Sequence, residues 1–265
     1  MRSPYDERLS IRGQGTPLVL VPGMDGTGEL FYRQLPLLER SFRVATYALR
    51  DSAWSMDDLV DDLSDVVERV AGAGRAAIVL GESFGGTLAL SFAIAHPDQV
   101  RALVILNSFP YFAPQARLKL ALLALDIVPW GLMGVVRRLT AFRLHSPETH
   151  RHEIRRFIDL TRGATQEGYR NRLKVLTAYD VRDRLRDIRL PTLFLAAECD
   201  HLVPSLQQAR FMVSRVPGAS LRVLRRHGHI CLIAPNLDLA HILSEWRSDL
   251  TNAEPMPAQD HATPQ

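Results

Sequence analysis

Short, continuous apolar runs alternate with segments of helical spacing along most of this chain, and that rhythm limits the fold more than any other feature. Leu18-Val19-Leu20-Val21, ended by Pro22-Gly23, reads as a strand buried on both faces. Residues 29–40 have a helical pattern, and residues 42–49 read as a second strand. Residues 56–71 place Leu59, Val60, Leu63, Val66, Val67 and Val70 at helical spacing. Ser55, with Asp58 three positions on, forms a capping pair for that helix. Residues 76–81 give a third strand, 84–95 a helix stopped before Pro97, and 100–106 a fourth strand. The rhythm resumes with a strand at 192–197, a helix at 204–216, a strand at 220–224 and a helix at 235–250. Repeated strand–helix units imply an α/β fold with a mainly parallel, doubly wound sheet covered by helices on both faces.

Between residues 108 and 190 the alternation stops. This stretch holds helical patterns and no convincing strand, so it reads as a helical insertion in the sheet. Its first part is apolar, with Leu118, Leu120, Leu122, Leu123, Leu125 and Ile127; its second part, residues 137–172, is rich in arginine. The expected organisation is a core of residues 1–108 and 191–250, an insertion of residues 109–190, and a tail of residues 251–265. The tail carries Pro255, Pro257 and Pro264 and few apolar side chains, which predicts disorder.

Composition supports a globular chain: at 46% hydrophobic and 23% charged residues it can bury a large core. Two cysteines cannot build a disulfide scaffold. The pI of about 9.1 invites a nucleic-acid reading, but the net charge is only +3. Lys119 and Lys174 are the only lysines among 32 basic residues, a skew that resembles codon usage more than selection for phosphate contacts. No nucleic-acid partner is expected. Much of the charge falls in the insertion, with 12 basic against 6 acidic residues from 110 to 180. Residues 1–12 have no apolar core of a signal peptide, which predicts a cytoplasmic protein. Residues 116–136 are apolar but broken by Lys119, Asp126 and Pro129, so no membrane insertion is expected.

Gly81-Glu82-Ser83-Phe84-Gly85 matches G-x-S-x-G and falls between a predicted strand and a predicted helix. A sharp turn there strains the central residue, and small residues two positions either side avoid collision. The turn aims Ser83 at the start of the following helix, whose amides favour negative charge. A serine hydroxyl needs a base to act as a nucleophile. Of nine histidines, His227 and His229 follow the final strand, at the carboxyl edge where α/β sites assemble. His229 is preferred because it follows Gly228, which lets the backbone turn, and precedes Ile230-Cys231-Leu232; His227 is the alternative. Asp200, just past the strand at 192–197, is the expected acid that orients the base. Glu198, Asp180, Asp183 and Asp187 are alternatives, and the fourth strand offers only Asn107 and Ser108.

After the first strand comes Pro22-Gly23-Met24-Asp25-Gly26-Thr27-Gly28, a glycine-rich loop with exposed amides. The Met24 and Phe84 amides are the expected oxyanion-hole donors. No Gly-Lys-Ser/Thr follows and G-x-G-x-x-G is not met, so a phosphate-binding loop is the weaker reading. His150, His152 and Glu153 lack a second ligand cluster, so they read as a solvated helix face and no metal is expected. Cys199 and Cys231 read as small apolar residues.

Four ordered segments carry a resemblance: Val21-Pro22-Gly23-Met24-Asp25-Gly26, Gly81-Glu82-Ser83-Phe84-Gly85-Gly86, Cys199-Asp200-His201-Leu202-Val203-Pro204 and Gly228-His229. Together with the strand–helix rhythm over residues 16–250, they resemble the α/β-hydrolase superfamily. The resemblance implies a serine hydrolase of the esterase, lipase or thioesterase kind, a helical cap at 109–190 and no cofactor. The chain departs from the family where Pro22-Gly23 replaces a frequent His-Gly, and where the opening antiparallel strands shrink to residues 8–12. The expected substrate is a small-molecule ester or thioester, and an apolar acyl chain would suit the greasy part of the insertion. An acyltransferase using the same acyl-enzyme and a non-catalytic ligand-binding protein on the same scaffold are the alternatives.

Overall fold

The computed structural model describes residues 8–112, 115–127, 130–132, 135, 144, 146 and 149–250. Seven strands form one sheet: β1 (Leu9–Arg12), β2 (Thr16–Val21), β3 (Phe42–Tyr47), β4 (Ala77–Glu82), β5 (Val100–Leu106), β6 (Thr192–Ala197) and β7 (Ser220–Leu224). Their order is β1-β3-β2-β4-β5-β6-β7. β1 runs antiparallel to β3 at one edge, and every other pairing is parallel.

The apolar runs are continuous because both faces of the sheet are covered. Val19 and Val21 join one core cluster with Ala45, Val79, Leu103, Ile105 and Phe194. Leu18 and Leu20, pointing the other way, join a second with Val44, Ile78, Leu80, Val104 and Leu193. Helices α2 (Met56–Ala71) and α3 (Phe84–Ala95) pack on the first face with α7 (Ser205–Val213); α1 (Leu35–Leu38) and α8 (Leu239–Trp246) pack on the second. The predicted cap of α2 forms: the Ser55 hydroxyl accepts from the Asp58 amide at 3.1 Å, and the Asp58 carboxylate accepts from the Ser55 amide at 3.0 Å.

Three predicted helices are shorter than their patterns. Residues 29–40 divide into a 3-10 turn, Glu29–Arg33, and the single turn α1, with Gln34 between them. Gln34 is fully buried: its amide donates to Leu232 O at 3.0 Å and Leu237 O at 3.1 Å, and accepts from Leu239 N at 3.0 Å. A buried glutamine that supplies these loop contacts, followed by Pro36 without an N–H, interrupts the helix. The last helix starts at Leu239 because the Asp238 side chain caps it, accepting from His241 N at 2.9 Å. α7 starts after Pro204 and ends at Val213.

Between β5 and β6 lie α4 (Gln115–Ile127), a turn at Trp130–Leu132, α5 (Arg151–Leu160), α6 (Gln166–Ala178) and a turn at Arg182–Asp187. Among the described residues this segment has no strand, only the isolated bridge between Tyr111 and Asp180. The sheet continues across it, with β5 hydrogen-bonded to β6. Leu118 and Leu125 of α4 and Leu173 and Leu176 of α6 extend the first core cluster, whereas Leu120, Leu123 and Ile127 face outward. No helix among the described residues is long and apolar enough to cross a membrane. The predicted tail, residues 251–265 with His261, lies outside the described residues, as do His145 and most of 133–148.

Candidate active site

The carboxyl ends of β2, β4, β5, β6 and β7 share one edge of the sheet, and Met24, Ser83, Asp200 and His229 lie in the connections that leave it after β2, β4, β6 and β7. Ser83 sits between β4 and α3 at φ 54°, ψ −116°, a conformation rare for a residue with a Cβ. The turn closes because its glycines have no side chain. A Cβ at Gly81 would collide with the Gly85 carbonyl oxygen, and one at Gly85 would collide with the Val21 carbonyl oxygen. One at Gly86 would strike Ser108. Ser108 in turn donates its hydroxyl to Ser83 O at 2.7 Å, and Ser83 N donates to Leu106 O at 2.9 Å.

His229 Nε2 lies 2.9 Å from Ser83 Oγ, and His229 Nδ1 lies 2.7 Å from Asp200 Oδ2. The side chains of His229 and Asp200 are 4% and 1% exposed. The Asp200 carboxylate also accepts from Leu202 N at 2.9 Å, Val203 N at 3.0 Å and the Ser205 hydroxyl. Burial alone would raise the Asp200 carboxyl, but His229, Ser205 and the Val203 amide outweigh it and hold it below the usual aspartate value. Burial pushes the imidazole of His229 down; the adjoining Asp200, with Glu82 beyond it, outweighs that and raises it above 6.5. A hydroxyl, an imidazole and a carboxylate so joined can pass the hydroxyl proton to Nε2 while the carboxylate steadies the imidazolium.

Four of the alternatives for these positions are otherwise engaged, and Asp183 is exposed. His227 Nδ1 faces Arg225 O at 2.8 Å. Glu198 accepts from Arg226 N at 3.1 Å, Asp180 pairs with Arg182 at 2.6 Å, and Asp187 pairs with Arg184. In the histidine loop the left-handed residue is Arg226, at φ 60°, so the turn is made there and not at Gly228 as the sequence suggests. Cys231 is fully buried and its thiol is pushed far up by that burial, whereas Cys199 is partly exposed.

Met24 follows β2. The Gly23–Met24 peptide is oriented by the bond from Gly26 N to Gly23 O, at 3.0 Å, which directs the Met24 N–H away from the turn. Phe84 is the first residue of α3, where an N–H has no acceptor within the helix. The two loops touch: Gly85 lies against the Val21 and Pro22 carbonyls, and Gly23 lies against the Glu82 carboxyl.

Four further residues shape the site and escape sequence reasoning. Asn107, at φ 49°, ties three strand ends: its amide donates to His229 O at 2.7 Å and accepts from Ala197 N at 2.8 Å. Glu82 is buried beside Ser83; burial first, then Asp25 and Asp200, push its carboxyl up to about 7 against the pull of His229. Arg172 and Asp51 hold the Met24 loop. Only Arg172 left a sequence signal: with Gly168, Val175 and Leu176 it falls on one face of a helix, the face that is buried. His150 and His152 are exposed and stacked, but Glu153 is buried against Tyr32 and Arg33, so it is no part of the solvated face expected of it. No group of metal-binding side chains occurs among the described residues.

Comparison with known proteins agrees with the fold. The family model described as alpha/beta hydrolase fold matches residues 16–234. The chain is 28% identical over 261 residues to a Serratia proteamaculans protein named "Putative carbamate hydrolase RutD", covering 93% of this chain and 97% of that one. It is 28% identical over 242 residues to the pimeloyl-[acyl-carrier protein] methyl ester esterase of Vibrio atlanticus, covering 83% and 89%. A thermophilic esterase from Thermogutta terrifontis superposes with a TM-score of 0.83 at 21% identity, covering 92% and 93%. With its strand order, its strained serine turn and a family match over most of its length, the chain belongs to the alpha/beta hydrolase fold family.

Proposed function

We propose that this α/β-fold hydrolase is a serine hydrolase that cleaves carboxylic esters or thioesters through an acyl-enzyme on Ser83. The observation that carries the reading is the unbroken hydrogen-bond chain from Ser83 Oγ through His229 to Asp200. Ser83 Oγ bonds to the substrate carbonyl carbon as its proton moves to His229 Nε2. The carbonyl oxygen becomes an oxyanion facing the amides of Met24 and Phe84. Collapse expels the alcohol or thiol, which takes the proton from His229. Water then gives a proton to His229 and its oxygen to the acyl carbon, and the acid leaves as Ser83 recovers its hydrogen. Asp200 stays ionised throughout and keeps the imidazole proton on Nδ1. The names of the curated relatives support a carbonyl substrate of this kind.

The test is a panel of p-nitrophenyl esters, acyl thioesters and an aryl carbamate run against the parent and Ser83→Ala. Turnover falls by roughly ten-thousand-fold or more in the variant; unchanged turnover refutes the reading. The apolar residues of α4 support an acyl-chain pocket, for which rates rise from acetyl to octanoyl esters. A flat profile would leave those residues to helix packing alone.

A further inference from the structure

Among the described residues Arg172 is the largest fully buried side chain, at 2% exposure, and it lies in α6, outside the strand-edge loops. Its guanidinium makes three directed bonds, none to its own helix. Nε donates to Met24 O at 2.9 Å, NH2 to Asp25 O at 3.2 Å, and NH1 to Asp51 Oδ1 at 3.1 Å. Asp51 is fixed to the same helix: Thr165 Oγ1 donates to its carboxylate at 2.7 Å, and Asn171 Nδ2 donates to its carbonyl at 2.8 Å. Two glycines leave room for the arrangement. A Cβ at Gly26 would stand 2.6 Å from Arg172 NH1, and one at Gly168 would collide with the Asp51 carboxylate.

We propose that Arg172, held by Asp51, is a positioning residue for the oxyanion site, fixing the loop whose Met24 amide receives the developing negative charge. This rests on the serine-hydrolase reading above. The loop is glycine-rich, so its backbone depends on hydrogen bonds to hold its shape: Leu49 N donates to Gly26 O at 2.8 Å, and Arg172 holds the two carbonyls before it. The Gly26–Gly23 bond orients the peptide that carries the Met24 N–H. The two carbonyl bonds to Arg172 then fix the next two residues, Met24 and Asp25. An arginine suits this position because its planar fork reaches two carbonyls and a carboxylate at once; a lysine ammonium has the charge without the fork. Since a small misplacement of an oxyanion donor weakens transition-state stabilisation and leaves ground-state binding alone, the loss falls on kcat.

The test compares the parent, Arg172→Lys and Asp51→Asn, with active sites counted by a fluorophosphonate and a p-nitrophenyl ester as substrate. Ser83→Ala run alongside checks the underlying reading: if it keeps its turnover, that reading fails whatever Arg172 does. With Ser83 confirmed, Arg172→Lys lowers kcat per titrated site by roughly 10–100-fold, somewhat less than deletion of a donor. KM stays within about threefold, and inhibition by a boronic acid, which forms a tetrahedral adduct, weakens by the same factor as kcat. Asp51→Asn gives the same pattern at smaller amplitude and serves where the lysine variant does not fold. The proposal is overturned if kcat per titrated site stays within twofold of the parent in the folded variants, or if kcat falls while boronic-acid affinity is unchanged.

Discussion

At the scale of single residues, the site is governed by where protons sit. The imidazole of His229 is held above 6.5 chiefly by Asp200, against the downward push of burial. In the proposed mechanism His229 must be neutral to accept the serine proton, so the acid limb of kcat/KM is predicted to have its midpoint above pH 6.5. A pH–rate profile checks this, and a midpoint below that value contradicts it. In the same mechanism Asp200→Asn removes the carboxylate proposed to fix the tautomer and is expected to lower kcat by about ten-thousand-fold. Glu82 sets a second pH dependence. Burial raises its carboxyl from 4.5 to about 7, so the folded protein binds that proton more tightly than the unfolded chain. The corresponding stability is fully present below about pH 4.5 and is lost as pH rises through about 7. The size is roughly 3 kcal/mol at full ionisation. Glu82→Gln should therefore flatten the fall in denaturation midpoint between those pH values. Urea titrations of both proteins across the range test it, and parallel curves would count against it.

At the scale of elements, the sequence was most legible where one local rule decided the outcome. The strands at 100–106 and 192–197 agree with their predicted bounds because both of their faces are buried, and the helix at 56–71 because a capping box starts it; the edge strand at 220–224 and the helix at 84–95 agree as well. Ser55→Ala is expected to lower stability by about 1 kcal/mol while leaving kcat unchanged, since α2 only covers the sheet; thermal melts and ester assays check both halves. Legibility failed where a distant partner decided. Nothing local announces that Gln34 will leave a helix to serve Leu232, Leu237 and Leu239, or that Arg226 will take the turn two residues before a glycine. Asn107 is a similar case, since its bonds reach Ala197 and His229 across two neighbouring strands. The glycines of the serine turn were legible by type, and the structure supplies the reason, since Gly85 abuts the carbonyls ending β2. Gly85→Ala is predicted to destabilise the fold by about 1–3 kcal/mol, the range for overpacking, measured by urea denaturation.

At the scale of the whole molecule, one sheet edge gathers residues that lie far apart in the chain. Ser83, Asp200 and His229 meet because parallel strands deliver their following loops to the same side. The segment between β5 and β6 is tied to that edge by buried polar contacts. Arg172 reaches the Met24 loop, and Glu153 of α5 binds Tyr32 and Arg33 beside the first turn. One arginine of this segment, Arg172, thus has a structural role, holding two backbone carbonyls and a carboxylate.

The proposed mechanism requires that Ser83 become acylated. Intact-protein mass spectrometry after treatment with a fluorophosphonate, followed by peptide mapping, measures that most directly. The expected result is a single adduct on the peptide containing Ser83, absent from Ser83→Ala and strongly slowed in His229→Ala. An unlabelled folded protein, or an adduct on another residue that persists in Ser83→Ala, would contradict it.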